Sequence, residues 1–197
     1  METAPLSAQQ AVGKLPSLRE PQLLKSQDGL VWLLWLEQRP QERGRTTALL
    51  RPFGASDTRP LELTPAPINL RSRVHDYGGG VLTAALDGQR LSLVWVEDGC
   101  LWFQEWQLPL RGEHNTPAHA LGDVRQLSCQ GAWDLADGRL DLKHQRWIGI
   151  REIDAIDQLV TVPLDSTNQE PQRLHQPADF AGYACLRPDG QQLAWVE

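Results

Sequence analysis

A chain of 197 residues with a formal charge of −6 is long enough to bury a core, and too acidic to offer the basic face that a nucleic-acid partner requires. No apolar run approaches the roughly 20 residues of a membrane span, and the N-terminus has neither the positive nor the apolar segment of a signal peptide. The three cysteines, Cys100, Cys129 and Cys185, are scattered and lack metal-ligand spacing, which predicts reduced thiols buried as small hydrophobes and a cytoplasmic location.

Residues 1–20 read as a leader, with a short helix expected over 7–14 between Pro5 and Pro16. From residue 21 the chain repeats itself. Asp28-Gly29 precedes Leu30-Val31-Trp32-Leu33-Leu34-Trp35-Leu36-Glu37, and Asp87-Gly88 precedes Leu91-Ser92-Leu93-Val94-Trp95-Val96-Glu97. Asp137-Gly138 precedes, after a longer gap, Arg146-Trp147-Ile148-Gly149-Ile150, and Asp189-Gly190 precedes Leu193-Ala194-Trp195-Val196-Glu197. Asp-Gly between two apolar runs signals a tight hairpin, because such turns need positive φ. All four pairs are therefore expected to be hairpin turns. Trp32, Trp35, Trp95, Trp147 and Trp195 fall in the strands and are expected in the core, while the pattern leaves Trp106 and Trp133 unassigned.

Further strands fill each unit. In the first, 47–51 pairs across the charged turn at 38–45 and 61–64 forms the edge. In the second, 100–108 is a third strand and 119–121 a fourth. In the third, 158–164 follows the turn at 154–157, and 172–174 is outermost. Four short strands per repeat of about 50 residues make a propeller blade. The expected fold is all-β: a partial β-propeller of about three and a half blades of four-stranded antiparallel sheet, with blades near 21–67, 76–125 and 130–176 and a half-blade at 180–197. A half-blade leaves an open strand edge, so the sequence reads as a piece of a longer protein with a capacity for self-association.

Between the first and second units lies Arg71-Ser72-Arg73-Val74-His75-Asp76-Tyr77-Gly78-Gly79-Gly80. Charge and hydrogen-bonding capacity crowd ahead of three glycines, which permit a turn or a close approach of another backbone. The stretch resembles the Arg-x-x-Val-His-Glu-Tyr-Gly-Gly-Gly signature in the N-terminal propeller of bacterial serine peptidases of the prolyl-oligopeptidase family, in its acylaminoacyl-peptidase-like or dipeptidyl-aminopeptidase-like branch. Asp76 stands where that family usually has Glu. The resemblance continues through Leu140-Asp141-Leu142-Lys143-His144-Gln145-Arg146-Trp147-Ile148-Gly149 to the last residue. It implies a propeller that filters short peptides toward a catalytic α/β-hydrolase domain outside these 197 residues.

No catalytic residue is expected within the chain itself. None of Ser7, Ser17, Ser26, Ser56, Ser72, Ser92, Ser128 and Ser166 has glycines two positions before and after, as a nucleophile elbow requires. His114 and His119 lie five apart in a Pro-containing loop and do not form a helical metal pair. No cofactor or metal site is expected. Arg71, Arg73, His75, Asp76 and Tyr77 remain as candidates to face the central tunnel or an interdomain cleft. The alternative for those groups is mutual satisfaction at the blade junction. The alternative for the chain is a non-catalytic propeller used as a binding or scaffold module, with neither a membrane nor nucleic acid as partner.

Overall fold

The computed structural model describes residues 7, 15–55, 57–113, 116–129, 131–165 and 167–197. Among them are fourteen strands and two single-turn 3-10 segments, Pro40–Glu42 and Val74–Asp76. The strands form three four-stranded sheets and one two-stranded sheet. The first holds β1 (Ser17–Lys25), β2 (Val31–Arg39), β3 (Arg45–Pro52) and β4 (Leu61–Glu62). The second holds β5 (Leu82–Asp87), β6 (Arg90–Glu97), β7 (Cys100–Gln107) and β8 (His119–Ser128). The third holds β9 (Trp133–Asp141), β10 (Arg146–Ile153), β11 (Ile156–Pro163) and β12 (Gln172–His175), and the last β13 (Gly182–Leu186) with β14 (Leu193–Val196). Each sheet is an antiparallel meander in chain order, and the first strands of successive sheets touch: β1 meets β5, β5 meets β9, and β9 meets β13. That stacking is the geometry of a partial propeller with its inner strands around one axis.

Burial follows the period of two that strands impose. In β2, Trp32, Leu34 and Leu36 are buried, while Val31, Leu33 and Trp35 are only half-buried. Trp35 therefore lies off the core, beneath the Arg51 guanidinium at 5.7 Å from its ring centroid. Trp106 in contrast is buried, and Trp195 is half-buried. The main core runs through the first three sheets, from Leu34 through Leu93 and Trp95 to Trp147 and Val160. In β10 the alternate residues Ile148 and Ile150 turn the other way and join Leu159 and Ala184 in a smaller core under the half-blade. That two-sided burial explains the unbroken apolar reading of 147–150.

Three of the four Asp-Gly pairs lie at hairpin turns. The third does not. Asp137 and Gly138 sit inside β9, where the pairing with β10 slips between Ile148 and Ile150, and the chain reverses instead at 142–145. Asp137 has φ 54, so the positive φ that suits a turn serves here as a β-bulge. A second departure is at the N-terminus. Residues 17–20, read as leader, belong to β1, because Ser17, Leu18 and Arg19 pair with Gln38, Glu37 and Leu36. Pro21 sits where that register shifts, a place that needs no N–H donor. The expected helix over 7–14 lies, apart from Ser7, outside the described residues.

The cysteines also differ from expectation. Leu101 pairs with Ser128, so Cys100 and Cys129 are the next positions along the β7–β8 ladder and form a disulfide with a Cα–Cα distance of 4.3 Å. Cys185 is exposed rather than a buried small hydrophobe. Among the described residues, no helix is long and apolar enough to cross a membrane.

The Asp28 turn does more than reverse the chain. Its carboxylate accepts hydrogen bonds from the Ser26 hydroxyl (2.5 Å), the Arg111 N–H (2.5 Å) and the Leu30 N–H (3.1 Å), so it ties the first blade to the loop after β7. Those bonds, the Ser26 hydroxyl foremost, hold its pKa down at about 2. A carboxylate depressed in the folded state adds stability above its unfolded pKa and loses it as the pH falls through the folded value. Melting temperature should therefore decline between about pH 4 and pH 2 more steeply in the parent than in Asp28→Ala. Parallel pH profiles for the two proteins would show that Asp28 makes no such link.

Candidate functional site

The stretch from Arg71 to Gly80 lies in the connection from β4 to β5, and its path is fixed by backbone bonds to blades on both sides. The Thr46 N–H donates to Asn69 Oδ1 (2.8 Å), and the Leu70 N–H donates to the Thr46 carbonyl (3.0 Å). The Asn69 N–H reaches Glu97 Oε1 (2.8 Å), and the Arg71 N–H reaches the Val96 carbonyl (2.9 Å). Val74 is buried and anchors the short 3-10 turn, and Gly78, two residues past that turn, donates back to the Val74 carbonyl at 2.8 Å.

Two consecutive residues of this turn, His75 (φ 52) and Asp76 (φ 66), occupy the left-handed region, which is costly for residues with a Cβ. The neighbours that hold them there come from the third blade and the link beyond it. The His75 N–H donates to Glu152 Oε2, and the ring Nε2 lies 3.0 Å from Asp157 Oδ1, whose side chain is 1% exposed. That approach is close but not aligned as a hydrogen bond. Asp157 Oδ2 accepts from the Ala181 N–H (3.0 Å), and Phe180 packs edge-on against the imidazole with centroids 5.0 Å apart. His75 thus clasps the second blade to the third and to the entry of the half-blade.

The glycines pack tightly. A Cβ on Gly79 would lie 2.7 Å from the Ala136 Cβ, and one on Gly80 2.8 Å from Asp137 Oδ1. The Gly80 N–H donates to that same oxygen (2.7 Å), and the Asp137 N–H returns a bond to the Gly80 carbonyl (2.8 Å). The bulge in β9 is therefore the docking partner of the glycine run.

Of the five candidate residues, His75 is half-buried in its clasp and the other four are exposed. Arg73 makes a loose pair with Asp98 at 3.4 Å, and Tyr77 is 88% exposed. Arg71, Arg73, Asp76 and Tyr77 line a polar cavity of about 410 Å³ together with Arg19, Glu20 and Arg43. A second cavity of about 650 Å³ runs along the inner strands, lined by Glu20, Gly80, Thr83, Asp137 and Tyr183 among others. Glu20 borders both, and burial raises its pKa, with the Arg19 charge opposing and the Asp137 charge adding to the rise. Glu20 (φ 51) and Tyr183 (φ 54) sit at bulges of β1 and β13, as Asp137 does in β9. Three of the four inner strands thus carry a bulge whose positive-φ residue borders the larger cavity.

Sequence reading did not find Arg19, Glu20, Arg43, Asp137, Glu152, Asp157 or Phe180 as parts of this site. Arg43 carried one usable signal, its place just ahead of Gly44 in a Pro-initiated turn. Among the described residues, no group of three or more His, Cys, Asp or Glu is placed to hold a metal ion.

The stacked inner strands have a counterpart among known structures. The chain is similar to a Mycobacterium tuberculosis puromycin-hydrolyzing peptidase. The two superpose with a TM-score of 0.68 at 24% sequence identity, over 91% of this chain and 27% of that one. The likeness shows a shared fold, and this chain spans about a quarter of that peptidase's length. No family model matches the chain, and no curated protein matches it.

Proposed function

We propose that the chain is the propeller portion of a prolyl-oligopeptidase-type serine peptidase, of the acylaminoacyl- or dipeptidyl-aminopeptidase-like kind, which restricts access to a catalytic α/β-hydrolase domain so that only short peptides reach its serine. The observation that carries this reading is the shared fold with a peptidase over nine-tenths of the chain. The His75-Asp76-Tyr77-Gly78-Gly79-Gly80 loop supports it from the sequence side, since it resembles the family's signature and borders the cavity system. In this reading the inner-strand cavity is the path a peptide takes, and the hydrolytic groups come from the other domain.

Two measurements test the proposal. Residues 1–197 alone should neither cleave aminoacyl or acyl-peptide chromogenic substrates nor react with a fluorophosphonate. Joined to a hydrolase domain of that family, the same residues should make cleavage depend on peptide length, with kcat/KM falling as substrates lengthen beyond a few residues. Stoichiometric fluorophosphonate labelling of the isolated chain, or length-independent cleavage by the joined protein, would overturn it.

A further inference from the structure

The polar cavity beneath the glycine loop carries more cationic charge than its surroundings neutralise. Four guanidinium groups line it, from Arg19, Arg43, Arg71 and Arg73, against two carboxylates, Glu20 and Asp76. Among the described residues, Arg19, Arg43 and Arg71 have no carboxylate oxygen within 4 Å, and Arg73 has only the 3.4 Å contact to Asp98. Other arginines are ion-paired: Arg39 and Arg45 share Glu42 and Glu62, Arg146 meets Asp141 and Arg151 meets Glu170. Like charges gathered in one concavity repel one another unless an anion sits among them. The guanidinium fork fits a carboxylate in a two-bond geometry.

We infer that this cavity is a carboxylate-binding subsite for a peptide. The inference rests on the peptide-handling function proposed above and adds the charge of the group that the loop selects. A cavity of about 410 Å³ has room for a residue and its terminus rather than for a lone ion. Tyr77 at its rim offers an exposed aromatic face for a neighbouring side chain. The carboxylate is supplied either by the C-terminus of the peptide or by an acidic side chain within it.

The test is calorimetric titration of residues 1–197 with three acetylated peptides: Ala-Ala-Phe with a free C-terminus, the same peptide amidated, and Ala-Glu-Phe amidated. At low salt, one or both carboxylate-bearing peptides should bind at least about tenfold more tightly than the neutral amide. The free acid identifies a C-terminal source and the Glu peptide a side-chain source. The preference should shrink as salt is raised. Arg19→Gln with Arg71→Gln should remove the preference. Both side chains are exposed, so circular dichroism and melting temperature should match the parent. Equal binding of all three peptides overturns the subsite and leaves the propeller function standing. So does inorganic phosphate that competes at the same concentration as the peptide. Absence of binding by any peptide also overturns the subsite, and the proposed function is then decided by the length dependence of cleavage alone.

Discussion

Gly149→Ala should be among the most destabilising single-methyl additions in this protein. The Trp147 ring is fully buried and folds back along its own strand, over the space that side chains at Gly138 and Gly149 would occupy. A Cβ on Gly149 would overlap the Cη2–Cζ2 edge of the Trp147 ring and also lie 2.8 Å from the Ala136 carbonyl oxygen, so neither a rotamer change nor a small backbone shift relieves it. Overpacking of a core typically costs 1–3 kcal/mol, and a clash against both ring and backbone belongs at or above about 3 kcal/mol. For a domain of this size that is a fall of roughly 6–12 °C in melting temperature. Shrinking the ring in Trp147→Phe with Gly149→Ala should recover part of the loss, giving a coupling well above the additivity error of about 0.5 kcal/mol. A Gly149→Ala protein that melts within two degrees of the parent would mean that the ring does not sit there.

The second large effect is expected at Asp157. Its carboxylate is buried and serves two neighbours, His75 on one side and the Ala181 N–H on the other. Asp157→Ala leaves the half-buried Ala181 donor unsatisfied and takes away the carboxylate beside the His75 imidazole, a loss of about 2 kcal/mol. Asp157→Asn keeps an acceptor for Ala181 and removes only the charge, so its cost should be about 1 kcal/mol. The damage should also be local. Amide exchange should accelerate in β13 and β14, whose entry Ala181 is pinned by this bond, before it accelerates in the first blade. Uniform acceleration across all sheets in Asp157→Ala would show that the clasp has no special hold on the half-blade.

Much of the architecture was legible in the residues, and the failures have physical causes. The apolar runs at 31–36 and 91–96, each behind an Asp-Gly pair, marked strands that line the core, and the loop at 71–80 announced itself through its glycines. Asp137-Gly138 misled because the same dipeptide supplies positive φ to a hairpin turn and to a bulge, and local sequence does not say whether a partner strand continues past it. The site was legible only in its first half. His75 could be singled out from its neighbours in the chain, but Glu152, Asp157 and Phe180 approach it across a blade boundary, and no periodicity within one blade reports on contacts with the next. Cys100 and Cys129 became a pair only once the β7–β8 register was known.

The bulges at Glu20, Asp137 and Tyr183 have a further consequence. A bulged residue is excused from the ladder, so its side chain is chosen by the space it faces and not by a cross-strand partner. Three blades present such a residue to the same cavity; Asp137 uses its carboxylate to dock Gly80, whereas Tyr183 is 81% exposed. The scaffold is therefore held by ladders and tryptophans, while part of the cavity wall is set by side chains that stand outside the ladders. Among the three, Tyr183 is the position at which a change of side chain alters the cavity wall without removing a tie between blades.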